Sequence, residues 1–186
     1  MKRTFIAIEI DSSEKLLSLF SRVKEELSGE KINWVDEHNL HITLNFLGEI
    51  SSEMEEKVCG VLKELTLKKQ TFEFKLKGIG VFPGIRNPRV LWTGAEDTES
   101  LCNLQQDIAK SLLELNLLSD EKPFKAHLTL GRIKKLVKLG NVEKLVEGYK
   151  ETFIQKVVVD KIIFFESVLT SRGAIYNPIE VFELNK

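Results

Sequence analysis

His41-Ile42-Thr43-Leu44 is repeated, chemically almost unchanged, as His127-Leu128-Thr129-Leu130, 86 residues further on. A strand alternates its faces, so the histidine and threonine of each copy share one side and the aliphatic residues share the other. Each copy therefore offers an apolar face to a core and a polar face carrying one imidazole and one hydroxyl. A glycine follows each copy, Gly48 after the first and Gly131 after the second. The chain has three histidines in all, and two of them occupy these positions. Two copies set about the middle of the chain predict two related lobes facing each other across a central cleft.

Working outward from the repeats, residues 3–10 read as a strand, rich in β-branched and aromatic types. Leu16, Leu17, Phe20, Val23 and Leu27 recur at helical spacing before Gly29. Ser52-x-x-Glu55 has the spacing of a capping box ahead of Met54, Val58, Val61, Leu62 and Leu65. Residues 71–80 alternate as a half-exposed strand, and Phe82-Pro83-Gly84 with Asn87-Pro88 brackets a loop before a short strand at 89–93. Leu101, Leu104, Ile108, Leu112 and Leu115 share one helical face, and residues 142–149 form a short helix. Strands are expected over 127–133, over 153–165 with a charged break at Asp160-Lys161, and over 174–184. G-x-G-x-x-G is absent, and the order of elements departs from regular βα alternation. The fold class expected is α+β: bilobal, with two mostly antiparallel sheets flanked by helices, an internal pseudo-twofold duplication, and residues 1–186 forming one domain.

The chain's 186 residues suffice for a substantial core without staples. Apolar residues at 42% and charged residues at 30% argue against long disorder. No apolar run reaches the length of a membrane span, and Glu9 and Asp11 interrupt the first apolar stretch, so neither a membrane nor an export signal is expected. The net charge of −1 disfavours a surface that tracks long nucleic acid through phosphates, leaving local contacts. Cys59 and Cys102, each within a helical pattern, read as buried, reduced thiols of a cytoplasmic protein. Without Cys-x-x-Cys or HExxH spacing, no metal and no cofactor is expected.

Two imidazoles and two hydroxyls suit general acid–base chemistry. A histidine titrates near neutral pH, so one ring can accept a proton while the other donates one. In-line cleavage of a P–O bond needs that pair on opposite sides of phosphorus, with Thr43 and Thr129 hydrogen-bonding the non-bridging oxygens. His38 lacks a counterpart and reads as a surface residue of a turn. Lys122, Lys125, Arg132, Lys134, Lys135 and Lys138 gather about the second copy as a candidate phosphate-steering patch. Phe46, Phe82 and Trp92 are candidates for stacking on a base, or for the core.

The paired motifs resemble those of the two-histidine (2H) phosphoesterase superfamily. Further segments resemble its bacterial and archaeal RNA 2',3'-cyclic phosphodiesterases, also called 2'-5' RNA ligases. Arg3-Thr4-Phe5-Ile6-Ala7-Ile8 is similar to that family's opening segment, and Trp34-Val35 with Asn39-Leu40-His41 through Glu49 to its first motif. Phe82-Pro83, Pro88-Arg89-Val90-Leu91-Trp92, Pro123-Phe124 leading to His127 through Arg132, and Ser167-x-Leu169 with Gly173-x-x-Tyr176 resemble its later segments in order. Glu37-His38 stands where the family usually has Pro-Glu, and Ala126 where it often has Pro. The resemblance implies metal-independent hydrolysis of nucleoside or RNA 2',3'-cyclic phosphates to 2'-phosphates in the cleft, with RNA termini as partners; a monomer is expected. It implies His41 as proton donor and His127 as proton acceptor, labels that the sequence itself leaves interchangeable. It also points to Thr43, Thr129 and Arg132 as phosphate contacts, with Arg3 and Arg89 as weaker candidates. A 2'-5' ligase, a phosphodiesterase for other small cyclic phosphates and a non-catalytic RNA-end binder remain alternatives.

Overall fold

In the computed structural model, the described residues are 1–117, 123–170 and 173–186. The first half of the chain contributes β1 (Lys2–Glu9), α1 (Glu14–Glu26), β2 (Lys31–Trp34), β3 (His41–Ile50), α2 (Ser52–Thr66) and β4 (Phe72–Phe82). The second contributes β5 (Val90–Glu96), α3 (Glu99–Glu114), β6 (His127–Lys135), α4 (Leu139–Tyr149), β7 (Phe153–Val159), β8 (Lys161–Thr170) and β9 (Gly173–Glu183). Two sheets result, a four-stranded one ordered β3-β1-β8-β9 and a five-stranded one ordered β2-β6-β5-β4-β7. All pairings between these strands are antiparallel. The α+β class with two antiparallel sheets is the architecture expected from the sequence.

The lobes differ from the two halves of the chain that the repeat suggests. In each sheet the motif strand lies beside the strand that opens its own half, β3 beside β1 and β6 beside β5. The third strand comes from the opposite half, β8 in the smaller sheet and β4 in the larger. This exchange ties the lobes together, and one apolar cluster accordingly runs from Ile6, Phe20 and Ile42 through Leu76, Leu91 and Leu128 to Phe164 and Phe182.

Local chemistry explains the helix boundaries. Ser13 caps α1 by accepting from the Leu16 N–H, and Leu16, Leu19, Phe20 and Val23 form its buried stripe. The cap of α2 is Ser51, accepting from the Met54 N–H, one residue before the serine expected from capping-box spacing. Glu55 is thereby free to pair with Lys2 on β1 at 2.9 Å. Lys138 supplies no side-chain cap to α4. Instead the buried Glu30 carboxylate accepts from the Val137 and Lys138 backbone N–H groups and from Asn141 Nδ2, placing an anion at a helix N-terminus. The four-residue β2, too short to leave a period in the sequence, pairs with β6 through Asn33 opposite Arg132 and Trp34 opposite Gly131.

Both motif strands are bulged at the same residue. On β3, Asn45 faces Ile6 and Thr43 faces Ala7, so Leu44 is extra. On β6, Gly131 faces Leu91 and Thr129 faces Trp92, so Leu130 is extra. Past a bulge the alternation changes face. Continued alternation would put Asn45 and Gly131 beside the threonines. Asn45 is instead buried at 4% exposure, and a Cβ on Gly131 would meet Ile32 Cγ2 at 2.8 Å and Trp34 at 3.0 Å on the core side. Phe46 and Arg132, one residue later, return to the face of the histidines.

Candidate active site

His41 and His127 open β3 and β6, and the two rings are held in the same way. Nδ1 of His41 lies 2.7 Å from the Asn39 carbonyl oxygen, and Nδ1 of His127 lies 2.6 Å from that of Lys125. A carbonyl only accepts, so in both rings Nδ1 carries the hydrogen and Nε2 is left for chemistry. The His-x-Thr-Leu strand and its approach thus set position and tautomer together.

The floors beneath the rings differ. The Phe5 ring lies 5.1 Å from that of His41, and Tyr176 stands edge-on to His41, also at 5.1 Å. Phe5, Ala7, Ile163 and Phe165 form a small apolar cluster on this cleft face, with Tyr176 packed against it. On the opposite wall His127 is edge-on to Phe82 at 5.0 Å and 6.5 Å from Trp92. Trp92 lies over Gly80, where a Cβ would come within 2.3 Å of its ring. A side chain at that position would force the indole to shift.

Burial holds the pKa of His41 below the ordinary imidazole value, against the favourable hydrogen bond to Asn39. The charges of His127 and Arg132 lower it further, so both groups on the second wall act on His41 across the cleft. A cavity of about 640 Å³ adjoins this pair and is lined by Thr43 and Phe46 from β3, His127, Phe82, Arg89, Lys125 and Gln105, among others. Thr129 shares the face of His127, opposite Trp92 in the ladder.

Most residues singled out in the sequence therefore stand about one cleft. Arg132 reaches it because of the bulge, Arg89 lines its cavity, and Arg3 shares the cleft face of β1 with Phe5. Of the aromatic candidates, Phe46 is 46% exposed and Phe82 lines the cavity, whereas Trp92 serves as the floor under His127. In the basic patch, Lys125 is at the cleft with Nζ 5.8 Å from the Phe82 ring centre. Lys134, Lys135 and Lys138 are exposed further along the chain, and Lys122 lies outside the described residues. His38 sits exposed in the short turn Glu37–Asn39, as expected. Both cysteines are free, and each is half-buried rather than buried. Burial, with Glu180 beside it, pushes the Cys59 thiol up to about 12, which leaves it unreactive. Tyr176 and Gln105 escaped the reading of periods, because a single tyrosine on a late strand and a polar residue on a helix carry no spacing signal. Among the described residues, no three His, Cys, Asp or Glu side chains group as metal ligands. No helix among them is long and apolar enough to cross a membrane.

Known proteins share the sequence pattern and the fold of this chain. The RNA 2',3'-cyclic phosphodiesterase of Archaeoglobus fulgidus is 35% identical over 182 residues, covering 97% of this chain and 99% of that one. The protein of the same name from Thermotoga maritima is 36% identical over 180 residues, 94% of this chain and 91% of its own. A crystal structure from Thermus thermophilus superposes with a TM-score of 0.81 at 25% identity, covering 98% of this chain and 97% of its own. That of Escherichia coli LigT with 3'-AMP gives 0.73 at 21% identity over 100% and 99%, a likeness of fold. The family model for LigT-like phosphoesterases matches twice, over residues 8–92 and 94–176, each match holding one His-x-Thr-Leu strand. With both halves matched and both motifs facing one cleft, the chain belongs to the LigT-like phosphoesterases.

Proposed function

We propose that this protein hydrolyses RNA or nucleoside 2',3'-cyclic phosphates to 2'-phosphates, using its two histidines as acid and base and no metal. The observation that carries the proposal is the matched pair of Nδ1–carbonyl bonds, which leaves two Nε2 atoms free on facing walls. The names of the relatives supply the substrate class. In the reaction, His127 Nε2 takes a proton from water as the water oxygen bonds to phosphorus. The bond from phosphorus to O3' breaks, and His41 gives its Nε2 proton to O3', leaving a 2'-phosphate and a 3'-hydroxyl. Thr43, Thr129 and Arg132 hold the non-bridging oxygens, where charge accumulates.

His41 already carries hydrogen on Nδ1, so it donates from Nε2 only as an imidazolium. Burial, the charge of Arg132 and the coupling to His127 disfavour that form in the free protein. The substrate's phosphate reverses the balance, because an anion beside the ring favours its charged state. The acid is thus armed by the group it cleaves.

The same geometry, run in the same direction with a 5'-hydroxyl attacking phosphorus in place of water, would serve 2'-5' ligation: the bond to O3' breaks, His41 protonates it, and a 2'-5' diester is left. We further read residues 1–186 as one domain, acting as a cytoplasmic monomer on RNA ends. The test is turnover of an oligonucleotide ending in a 2',3'-cyclic phosphate in excess EDTA. A 2'-phosphate product is expected, lost in His41→Ala and in His127→Ala. Binding without turnover, or full activity in either variant, overturns the mechanism.

A further inference from the structure

Arg3 has no task in the reaction as proposed. A nucleoside 2',3'-cyclic phosphate carries one negative charge, and two histidines, two threonines and Arg132 already address it. Yet Arg3 stands on β1 two residues before Phe5, on the same face of the strand, and the Phe5 ring touches both His41 and Tyr176. The ladder brings Tyr176 level with Arg3: Thr4 pairs with Glu166 on β8, and the next residue, Ser167, pairs with Tyr176 on β9.

Among the described residues, neither the Arg3 guanidinium nor the Tyr176 hydroxyl has a hydrogen-bond or ion-pair partner, although the Tyr176 ring packs on Phe5 and His41. Every ion pair among the described residues uses a lysine, and Arg3 forms none, although Glu49 lies opposite it on β3. Burial holds the Tyr176 phenol above its ordinary pKa while the charges of Arg132 and Arg3 act against that rise. The hydroxyl therefore lies where the fields of two arginines from opposite walls overlap. An unneutralised positive field on a half-buried hydroxyl suits an anion.

We infer that Arg3 and the Tyr176 hydroxyl form a second phosphate subsite beside His41, for the phosphate on the 5' side of the cyclic-phosphate nucleotide. The inference rests on the reading above, in which His41 protonates O3' and the ribose consequently lies on its side of the cleft. The next phosphate of an RNA strand hangs from O5' of that ribose. The substrate class is then an oligonucleotide, or a nucleotide with a 5'-phosphate, in preference to a bare nucleoside cyclic phosphate.

Calorimetric titration of the full chain at about 0.15 M salt, with adenosine 2',5'-bisphosphate and adenosine 2'-monophosphate, tests this. The bisphosphate is expected to bind about tenfold tighter, the size of one charge-assisted contact. Arg3→Gln should bring that ratio near one. Tyr176→Phe, which keeps the ring on His41, should lower it about threefold. Arg22→Gln, on α1 away from the cleft, should leave it near ten. A ratio near one in the unaltered chain, a ratio of ten surviving Arg3→Gln, or an equal loss in Arg22→Gln overturns the subsite. Binding needs no turnover, so a failure of hydrolysis with the ratio intact counts against the proposed reaction alone.

Discussion

β3 ends the smaller sheet, with β1 as its neighbour there, whereas β6 runs between β2 and β5 inside the larger sheet. The two strands carry nearly the same four residues, the same bulge at leucine, and the same bond from Nδ1 to the carbonyl two residues back. Their surroundings diverge at once. His41 rests on Phe5 with Tyr176 against it, and His127 on Phe82 and Trp92. At the equivalent position beyond each bulge stands Phe46 on one wall and Arg132 on the other. The repeated tetrapeptide thus fixes how each ring is held, while the neighbours give the two rings different surroundings, as the proposed division into acid and base requires. Two rings with identical surroundings would have no reason to divide into acid and base.

The largest test of that division is removal of either ring. His41→Ala and His127→Ala are each expected to lower kcat by about 10²–10⁴, the usual contribution of one general acid or base. The double variant should fall little further, because each ring needs the other. Arg132→Gln is expected to weaken binding of adenosine 2'-monophosphate by about tenfold to a hundredfold, from loss of a charged contact. Thr43→Val and Thr129→Val should each cost about tenfold in kcat/KM. Unequal losses would show that the walls divide the phosphate oxygens unevenly.

Gly80→Ala attacks the His127 wall alone. Its methyl would press into the Trp92 ring, costing about 1–3 kcal/mol by overpacking. That should lower the Tm by roughly 2–10 °C in calorimetry, while the His41 ring resonance stays in place.

The smallest effect concerns protons. NMR titration of His41 in the free protein should give a pKa below 6.5, because burial, the coupling to His127 and the charge of Arg132 oppose the imidazolium. Arg132→Gln removes that charge and should raise it. Phosphate favours the imidazolium, so its binding should tighten as pH falls through the free His41 pKa. Unchanged affinity across that range would disconnect His41 from the anion.

Much of this site was legible because strand periodicity and a repeated motif are local. His41, Thr43, His127 and Thr129 declared themselves by spacing, and the leucines by their apolar face. The same reasoning misplaces the residues just beyond each motif. Period two predicts Asn45 and Gly131 on the cleft face, and the bulges at Leu44 and Leu130 give that face to Phe46 and Arg132. A bulge is a mismatch between two strands, and neither strand announces it alone. Residues from distant strands, Phe5 and Tyr176 above all, were carried into the resemblance without a position. The exchange of β4 and β8 between sheets was equally hidden, since pairing partners depend on how whole elements pack.

By itself the sequence determined the two half-sites: the alternating faces, the paired imidazoles and hydroxyls, and the α+β class. Those depend on neighbours within a few residues along the chain. Only the tertiary structure decided which wall is which. It set Phe5 and Tyr176 under one ring and Trp92 under the other, and it brought the charge of Arg132 across to His41. Burial and Coulomb interaction act through space between residues far apart in the chain, so that difference arises when the sheets close on one another.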